Sequence, residues 1–358
     1  MSTLKCQLKP AAVICVVMMF CLMLTGCWDI QEIKDQSFII GVGVDKVGDE
    51  IEVSLLEVLT SASPLGEEEK TVSGFANTRV ISTKGPTMNY CIEVLRSEMN
   101  KRVNASKIRF VVFSEELLKA GIIEHMDYLL RHYEIDKVTY VIATRPSAKE
   151  LLTKEKGTLF PFLNVEKYSP LLHTIKLWEL IPQLYTIQEG AVLPLIRMDK
   201  DRIKIIGASL LQLDKQQFVV DKDKVRWINI LHEKNIRRMR IMFKDKLAFE
   251  IRKVRFKLHV EQGKVVVKLK MNGWIIQSKI PNTLQKSKQL EGQLSEFMNN
   301  EIEEVLNESK NQGVDLLSIG EKFRQKEWDT SDWDNKLKEL NFEVESEIKI
   351  LSGFGKSE

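Results

Sequence analysis

The chain has 358 residues and a formal net charge of +3. With 44% hydrophobic and 29% charged residues it has the composition of a folded protein and not of a disordered one. The near balance of charge, in a chain that opens with an export signal, makes nucleic acid a poor partner.

Lys5 and Lys9 are the only charges of a short N-terminal stub, and Ala11 to Leu24 then runs apolar without a break. Such a run fits the core of a signal peptide and is short for a bilayer span, which needs roughly 20 apolar residues. Leu24, Thr25, Gly26 and Cys27 close it as a lipobox. This predicts a diacylglyceryl group on the Cys27 thiol and a cut between Gly26 and Cys27, so that residues 1–26 are a lipoprotein signal peptide. Two acyl chains are what stable anchoring takes, each buried methylene contributing about 0.8 kcal/mol. The competing reading is an ordinary signal peptide beside a chance cysteine, but Met23 and Thr25 leave no obvious small-x-small site. No later run is long enough to cross a bilayer, so the chain after Cys27 is expected to lie on one side of the membrane. Cys6, Cys15 and Cys21 leave with the signal and Cys27 carries lipid. Cys91 then stands alone, without a disulfide, in an apolar helical pattern with Met88, Ile92 and Leu95 that marks it as a buried, inert thiol.

Ser37 to Asp45 and Ile51 to Thr60 read as a hairpin about Gly48-Asp49. Gly41-Val42-Gly43 lacks the third glycine and the following helix of a dinucleotide loop. Residues 61–78, with Glu67-Glu68-Glu69, read as a loop, and 85–102 as an amphipathic helix. Lys107 to Phe113 reads as a strand, and Ser114 as the cap of a helix that Gly121 ends or bends and that resumes to Tyr133. Val138 to Thr144 is a further strand and Pro146-Ser147 opens a helix through Leu152. Residues 157–170 read as a loop or linker, and Leu171 to Ile187 as mostly helical. Ile203 to Leu213 pairs with Phe218-Val219-Val220, and Asp221 starts a helix to about His232. Strands near 247–260 and 264–277 form a long hairpin. From Asn282 to Gln312 the period becomes helical, Leu290, Leu294, Phe297, Met298, Ile302, Val305 and Leu306 forming one stripe that Gly313 ends. Asp315 caps a shorter helix, Trp328 and Trp333 follow, and Phe342 to Ile350 is a closing strand.

The fold expected is α+β and multi-domain, mixed or antiparallel sheets packed with helices. An N-terminal α+β region, 27–190, could itself hold two subdomains. A C-terminal α+β domain, 200–358, holds the hairpin, the long helix and the closing strand, with a soft boundary between about 157 and 200.

Charge is distributed unevenly. Residues 200–280 hold 21 Lys and Arg against 8 Asp and Glu, while 281–358 hold 10 against 17. Lys253, Arg255, Lys257, Lys264, Lys268 and Lys270 alternate with apolar residues along the hairpin and, with Arg252, make a candidate basic contact face for anionic lipid or an acidic partner. The competing reading is that the acidic segment covers this face within the same chain.

Residues that would mark an enzyme are missing from the pattern. His125, His132, His173, His232 and His259 form no zinc spacing: His232-Glu233 has Ile236 where a second histidine belongs. Ser209 lacks the closing glycine of a nucleophile elbow. No catalytic residue, metal ligand or cofactor is assigned, and a binding or scaffolding role is expected.

Gly26-Cys27-Trp28-Asp29, Glu32-Ile33, Asp35 and Gly41-Val42-Gly43-Val44-Asp45 begin a pattern. It continues through Phe113-Ser114-Glu115-Glu116, Gly121-Ile122, Asp127-Tyr128-Leu129-Leu130-Arg131, Gly190, Leu193-Pro194 and Ile206-Gly207-Ala208. Asp315, Gly320, Trp328, Trp333, the strand Val344 to Ile350 and Gly353 complete it. Together these resemble the Ger(x)C family, the lipoprotein C subunits of bacterial spore germinant receptors, over nearly the whole chain after Cys27. The resemblance implies a non-enzymatic, multi-domain α+β protein on the outer face of the spore inner membrane. It also implies an A subunit and an integral-membrane B subunit as partners, and leaves direct germinant binding open. The alternative is a solute-binding lipoprotein feeding a transporter, which would need two similar lobes about a polar cleft. If Cys27 carries the lipid, fatty-acid label enters the wild-type protein and not Cys27→Ala; label in both disproves the assignment.

Overall fold

The computed structural model describes residues 14–15, 17–19, 35–59, 78–155, 157–164, 169–200, 202–234, 236, 239–261, 263–280 and 287–351. Residues 1–36 form a unit of their own, in which 14–15 and 17–19 are helical; the rest of the chain is a second unit. The lipobox Leu24, Thr25, Gly26 and Cys27 lies outside the described residues, as does the loop expected over 61–78, except for Thr78.

In chain order the elements from residue 36 on are β1 (Gln36–Val47), β2 (Glu50–Val58), β3 (Thr78–Gly85), α1 (Met88–Glu98), β4 (Arg102–Asn104) and β5 (Phe110–Ser114). Next come α2 (Glu115–Ala120), α3 (Ile123–Arg131), β6 (Tyr140–Thr144), α4 (Ala148–Lys154), α5 (Leu159–Asn164), β7 (Ile175–Lys176) and α6 (Leu177–Leu184). β8 (Gly190–Asp199), β9 (Arg202–Gln212), β10 (Lys215–Asp221) and α7 (Lys222–Leu231) follow. The chain ends with β11 (Met239–Phe243), β12 (Leu247–Glu261), β13 (Lys264–Ser278), α8 (Ser287–Asn311), α9 (Ile319–Gln325), α10 (Trp333–Glu339) and β14 (Asn341–Ile350).

Every residue of β5 and β6 is buried, as strands covered on both faces must be. They sit at the centre of a ten-stranded sheet of order β10-β9-β8-β6-β5-β1-β2-β3, with β4 beside β1 and β7 beside β6. The contacts β1–β5, β5–β6 and β6–β8 are parallel, and antiparallel hairpins extend the sheet on both sides. Val111, Phe113 and Val141 face α1, α2, α3 and α6, while Phe110, Val112 and Ile142 face α4 and α5. Gly41 belongs to this packing: a Cβ there would lie 2.2 Å from the Phe110 ring. Asp45, at the end of β1, accepts hydrogen bonds from the Ala148 and Lys149 amides at 2.7 and 2.9 Å and so caps α4.

β11-β12-β13-β14 form a second sheet, antiparallel except for β13–β14. The stripe on α8 packs on its inner face: Leu290, Leu294, Met298, Ile302, Val305 and Leu306 are buried, with Phe297 half-buried against them. Each such side chain contributes roughly 1.5–3 kcal/mol on leaving water. Acidic residues of α8 also close the sheet edge, Glu303 accepting from Val344 N at 2.9 Å and Glu291 from Ile350 N at 2.8 Å.

The sequence reading differs from the fold at identifiable places. β3, β4, β8, β11 and α10 have no counterpart in the sequence reading; β3 is a half-buried edge strand whose residues show no apolar alternation. The helix expected over 85–102 spans Met88–Glu98, because the Thr87 side chain caps it and Met99 is already extended. The loop expected over 157–170 contains α5, and the helical stretch from 171 starts with β7. Residues 190–199 form β8, which pairs with β9 along its length within the first sheet. One continuous core joins the sheets: Val192, Ala208, Leu210 and Val220 pack together with β11–β13 and α8.

Candidate functional site

Two constructions stand out, one on the surface and one inside. On the surface, the outer face of the second sheet carries Arg252, Lys253, Arg255, Lys257, Lys264, Lys268 and Lys270, so the structure brings all seven together. It also divides them. The parallel register of β14 sets Glu343, Glu345 and Glu347 beside β13. Lys264 pairs with Glu343, Lys268 with Glu345 at 3.0 Å, and Lys270 with Glu347 at 2.5 Å. Glu343 pushes the Lys264 pKa up and Lys270 holds the Glu347 carboxyl down, each mainly through its hydrogen bond. These three cations are compensated within the chain.

The β12 half is different. Arg255 stands opposite Lys270 and Lys257 opposite Lys268, like charge facing like charge. No carboxylate among the described residues pairs with Lys253, Arg255 or Lys257. β11 covers β12 only from Leu247 to Ile251, so this stripe runs along the sheet's open border. Arg252 lies 4.9 Å over the Trp274 ring. Met242 in β11 and Ile276 in β13 are large apolar residues left exposed on the same sheet. The sequence pattern singles out none of the three, since Trp274 and Ile276 sit in an ordinary strand pattern and Met242 in β11, which the pattern does not show.

The interior construction gathers residues far apart in the chain. Asp315 is fully buried and its carboxylate accepts from Ile319 N at 2.9 Å and Gly320 N at 2.8 Å, capping α9. Its backbone carbonyl accepts from Gly190 N at 2.8 Å, and its amide donates to Gln212 Oε1 at 3.1 Å. A Cβ at Gly190 would lie 2.5 Å from Val314, and one at Gly320 2.5 Å from Gln188 and 2.7 Å from the Trp333 ring. Phe323 packs edge-on against both Trp328 and Trp333, with centroids at 4.9 and 5.3 Å. Burial raises the Asp315 pKa to about 7, although backbone amides favour its charged form. A second buried carboxylate behaves oppositely. Arg145, with help from Gln216, holds Glu115 down at about 2, joining the start of α2 to β10 and to the turn before α4.

Residues 29–198 match the spore germination protein N-terminal domain, and 206–353 match the spore germination B3/GerAC-like C-terminal domain. The chain belongs to the GerAC-like family of spore germination proteins. Spore germination protein B3 of Bacillus subtilis (strain 168) is 21% identical over 96% of this chain and 98% of its own. Spore germination protein A3 of the same organism is 24% identical over 53% of this chain, an alignment that spans 52% of the relative. The crystal structure of the GerBC protein superposes with a TM-score of 0.51 at 16% identity, covering 90% of this chain and 100% of that one, and so shares the α+β fold.

Several residues that carried the family resemblance meet in the structure. Gly190, Asp315, Gly320, Trp328 and Trp333 form the interior junction, and Asp45 and Ser114 cap helices at the ends of β1 and β5. In this chain those residues act in capping and packing.

The raised Asp315 pKa has a sign that can be measured. Its contribution to stability is full below the unfolded value of 3.8 and is lost as pH rises through about 7. Asp315→Asn should be less stable overall, because Ile319 N and Gly320 N bond to different carboxylate oxygens and the Nδ2 that replaces one of them is a donor. The stability gap between wild type and variant should narrow from pH 4 to pH 8, by an amount on the order of a few kcal/mol. Urea unfolding at several pH values reads this directly; a gap that stays constant or widens refutes it.

Proposed function

We propose that this protein is a non-catalytic, lipid-anchored C subunit of a spore germinant receptor. On this reading Cys27 holds it to the outer face of the spore inner membrane, and it works through contacts with membrane-embedded A and B subunits. The observation that carries the proposal is the match of both family domains, in order, across residues 29–353, starting two residues after Cys27. Among the described residues no helix is long and apolar enough to cross a membrane, which fits a chain tethered by lipid. Work done through contact surfaces needs interfaces that bury roughly 1,200–2,000 Å² in total. A transporter-feeding solute-binding protein would be built of two similar lobes, whereas the two sheets here have ten and four strands.

Deleting the gene from a strain that carries this receptor alone should leave spores that form normally but fail to respond to one class of nutrient. Germination routes that bypass receptors should be unchanged. Intact nutrient responses in such spores reject the proposal. Co-purification of the native lipoprotein from spore membranes identifies the subunits that accompany it.

Within this reading, the free stripe Lys253, Arg255 and Lys257, with Arg252 over the Trp274 ring at its end and Met242 and Ile276 exposed further along the sheet, lies against anionic lipid. Cations beside interfacial aromatic and aliphatic side chains suit the headgroup region. The chain without residues 1–27 should bind phosphatidylglycerol vesicles at low salt and release them as salt rises. Lys253→Glu, Arg255→Glu and Lys257→Glu together should abolish binding, while charge reversal of the paired Lys264, Lys268 and Lys270 should reduce it less. Vesicle binding that ignores the first set transfers the stripe to a protein partner.

A further inference from the structure

The parallel strands β1 and β5 start at the same end of the first sheet, and an apolar pocket of about 270 Å³ opens there. Ile40 and Phe110, both buried, and Phe38, Val58 and Phe160, half-buried, supply its apolar lining. A smaller and more polar groove of about 170 Å³ adjoins it. Arg109 and Phe160 line both, while Tyr140, Asn164 and Lys176 line the groove alone.

Charge at this end is one-sided. Arg109 lies 5.7 Å over the Phe160 ring, and Lys176 lies 5.6 Å over the Tyr140 ring. Lys107 is exposed beside the pocket. None of these three cations pairs with a carboxylate among the described residues. Glu155 is the acidic residue of the two linings, and it is only 1% exposed. One of its oxygens accepts from Leu159 N at 2.9 Å, at the start of α5, and the other has no partner. Burial raises its pKa, which favours the uncharged form. An apolar cavity next to a polar groove with three unpaired cations is complementary to an amphiphile with an apolar tail and an anionic head.

Position decides which amphiphile. Phe38 follows Cys27 by eleven residues, a length of chain that reaches at most roughly 40 Å. On the lipid-anchored reading, on which this inference rests, the chain enters the first sheet from the bilayer at the end where the pocket opens. Phospholipid is the amphiphile within reach.

We propose that the pocket takes one acyl chain of an anionic phospholipid from the membrane that holds the protein, with the phosphate in the adjoining groove between Arg109 and Lys176. Arg109 suits both surroundings, since its guanidinium plane stacks on Phe160 while its N–H groups meet phosphate oxygens. Lys107 adds attraction for the net negative charge. The bound lipid is an exchangeable second attachment beside the covalent one, and it fixes which end of the first sheet meets the membrane.

The test uses the full, lipid-anchored chain in phosphatidylcholine vesicles that contain phosphatidylglycerol with a diazirine on one acyl chain. Flotation with the vesicles reports the anchor by itself, and labelling after irradiation reports the pocket. Label should fall on the peptides that hold Phe38, Ile40, Val58, Phe110 and Phe160, and unlabelled phosphatidylglycerol should compete it away. Val58→Trp fills the pocket from a half-buried position and should cut this label about tenfold while keeping the wild-type unfolding midpoint. Lys107→Glu with Lys176→Gln removes two cations outside the core and should cut it by about tenfold as well. Diazirine phosphatidylcholine should label the same peptides less. Floating protein whose label misses these peptides, or is confined to residues 252–276, overturns the proposal and leaves the anchor standing. Pocket labelling that both variants leave unchanged, or that phosphatidylcholine equals, overturns it too. Protein that does not float rejects the anchor, and this proposal with it.

Discussion

The buried carboxylate of Asp315 is the constraint on which the arrangement of the two sheets depends. It caps α9 with its side chain while its own backbone joins the first strand residue of β8 and the Gln212 side chain at the end of β9. Few residues can do this in a dry interior, because the group must accept two amide bonds at once and tolerate burial. Gly190 and Gly320 follow from it: each leaves room for a neighbour that a Cβ would strike. Trp333 then closes over Gly320 and against Phe323, joining α9 and α10 to the same core.

Membership of a germination family and the pattern of that core agree with each other. The residues of the resemblance that meet in this core act as caps, close approaches and aromatic packing, which specify a shape. A protein held by such features presents surfaces in a fixed geometry. The outer face of the second sheet shows how finely the geometry sorts them. Because β14 runs parallel to β13, its glutamates neutralise the lysines of β13 and leave those of β12 untouched. A one-residue slip would turn the glutamates into the core and bare the whole face.

The interior where the family domains meet uses the same economy of polar groups. One buried amide, Asn229, holds the segment 170–172 through its nitrogen and sets the tautomer of His173 through its oxygen. In sequence it is a lone polar residue inside Trp227-Ile228-Asn229-Ile230, a small signal that a helix is burying something hydrogen-bonded.

Local physics decided much of this protein before any tertiary contact was considered. The hairpin of β1 and β2, the capped helices after Ser114, Ser147 and Asp221, the twin strands β12 and β13 and the stripe of α8 all follow from periodicity, caps and turns acting within about 15 residues. The burial of Cys91 is likewise a matter of its spacing from Met88, Ile92 and Leu95. What the chain could not reveal depends on partners distant in sequence. β3 is a strand because β2 offers it an edge, and its own residues carry little preference. Whether Lys264 is free or paired is decided by Glu343, 79 positions away, and by the parallel sense of β14. The imidazoles of His173 and His232 exist as a pair only because α7 folds against the segment before β7. Hydrogen-bond direction and burial arise from contact between elements, and a linear pattern holds neither.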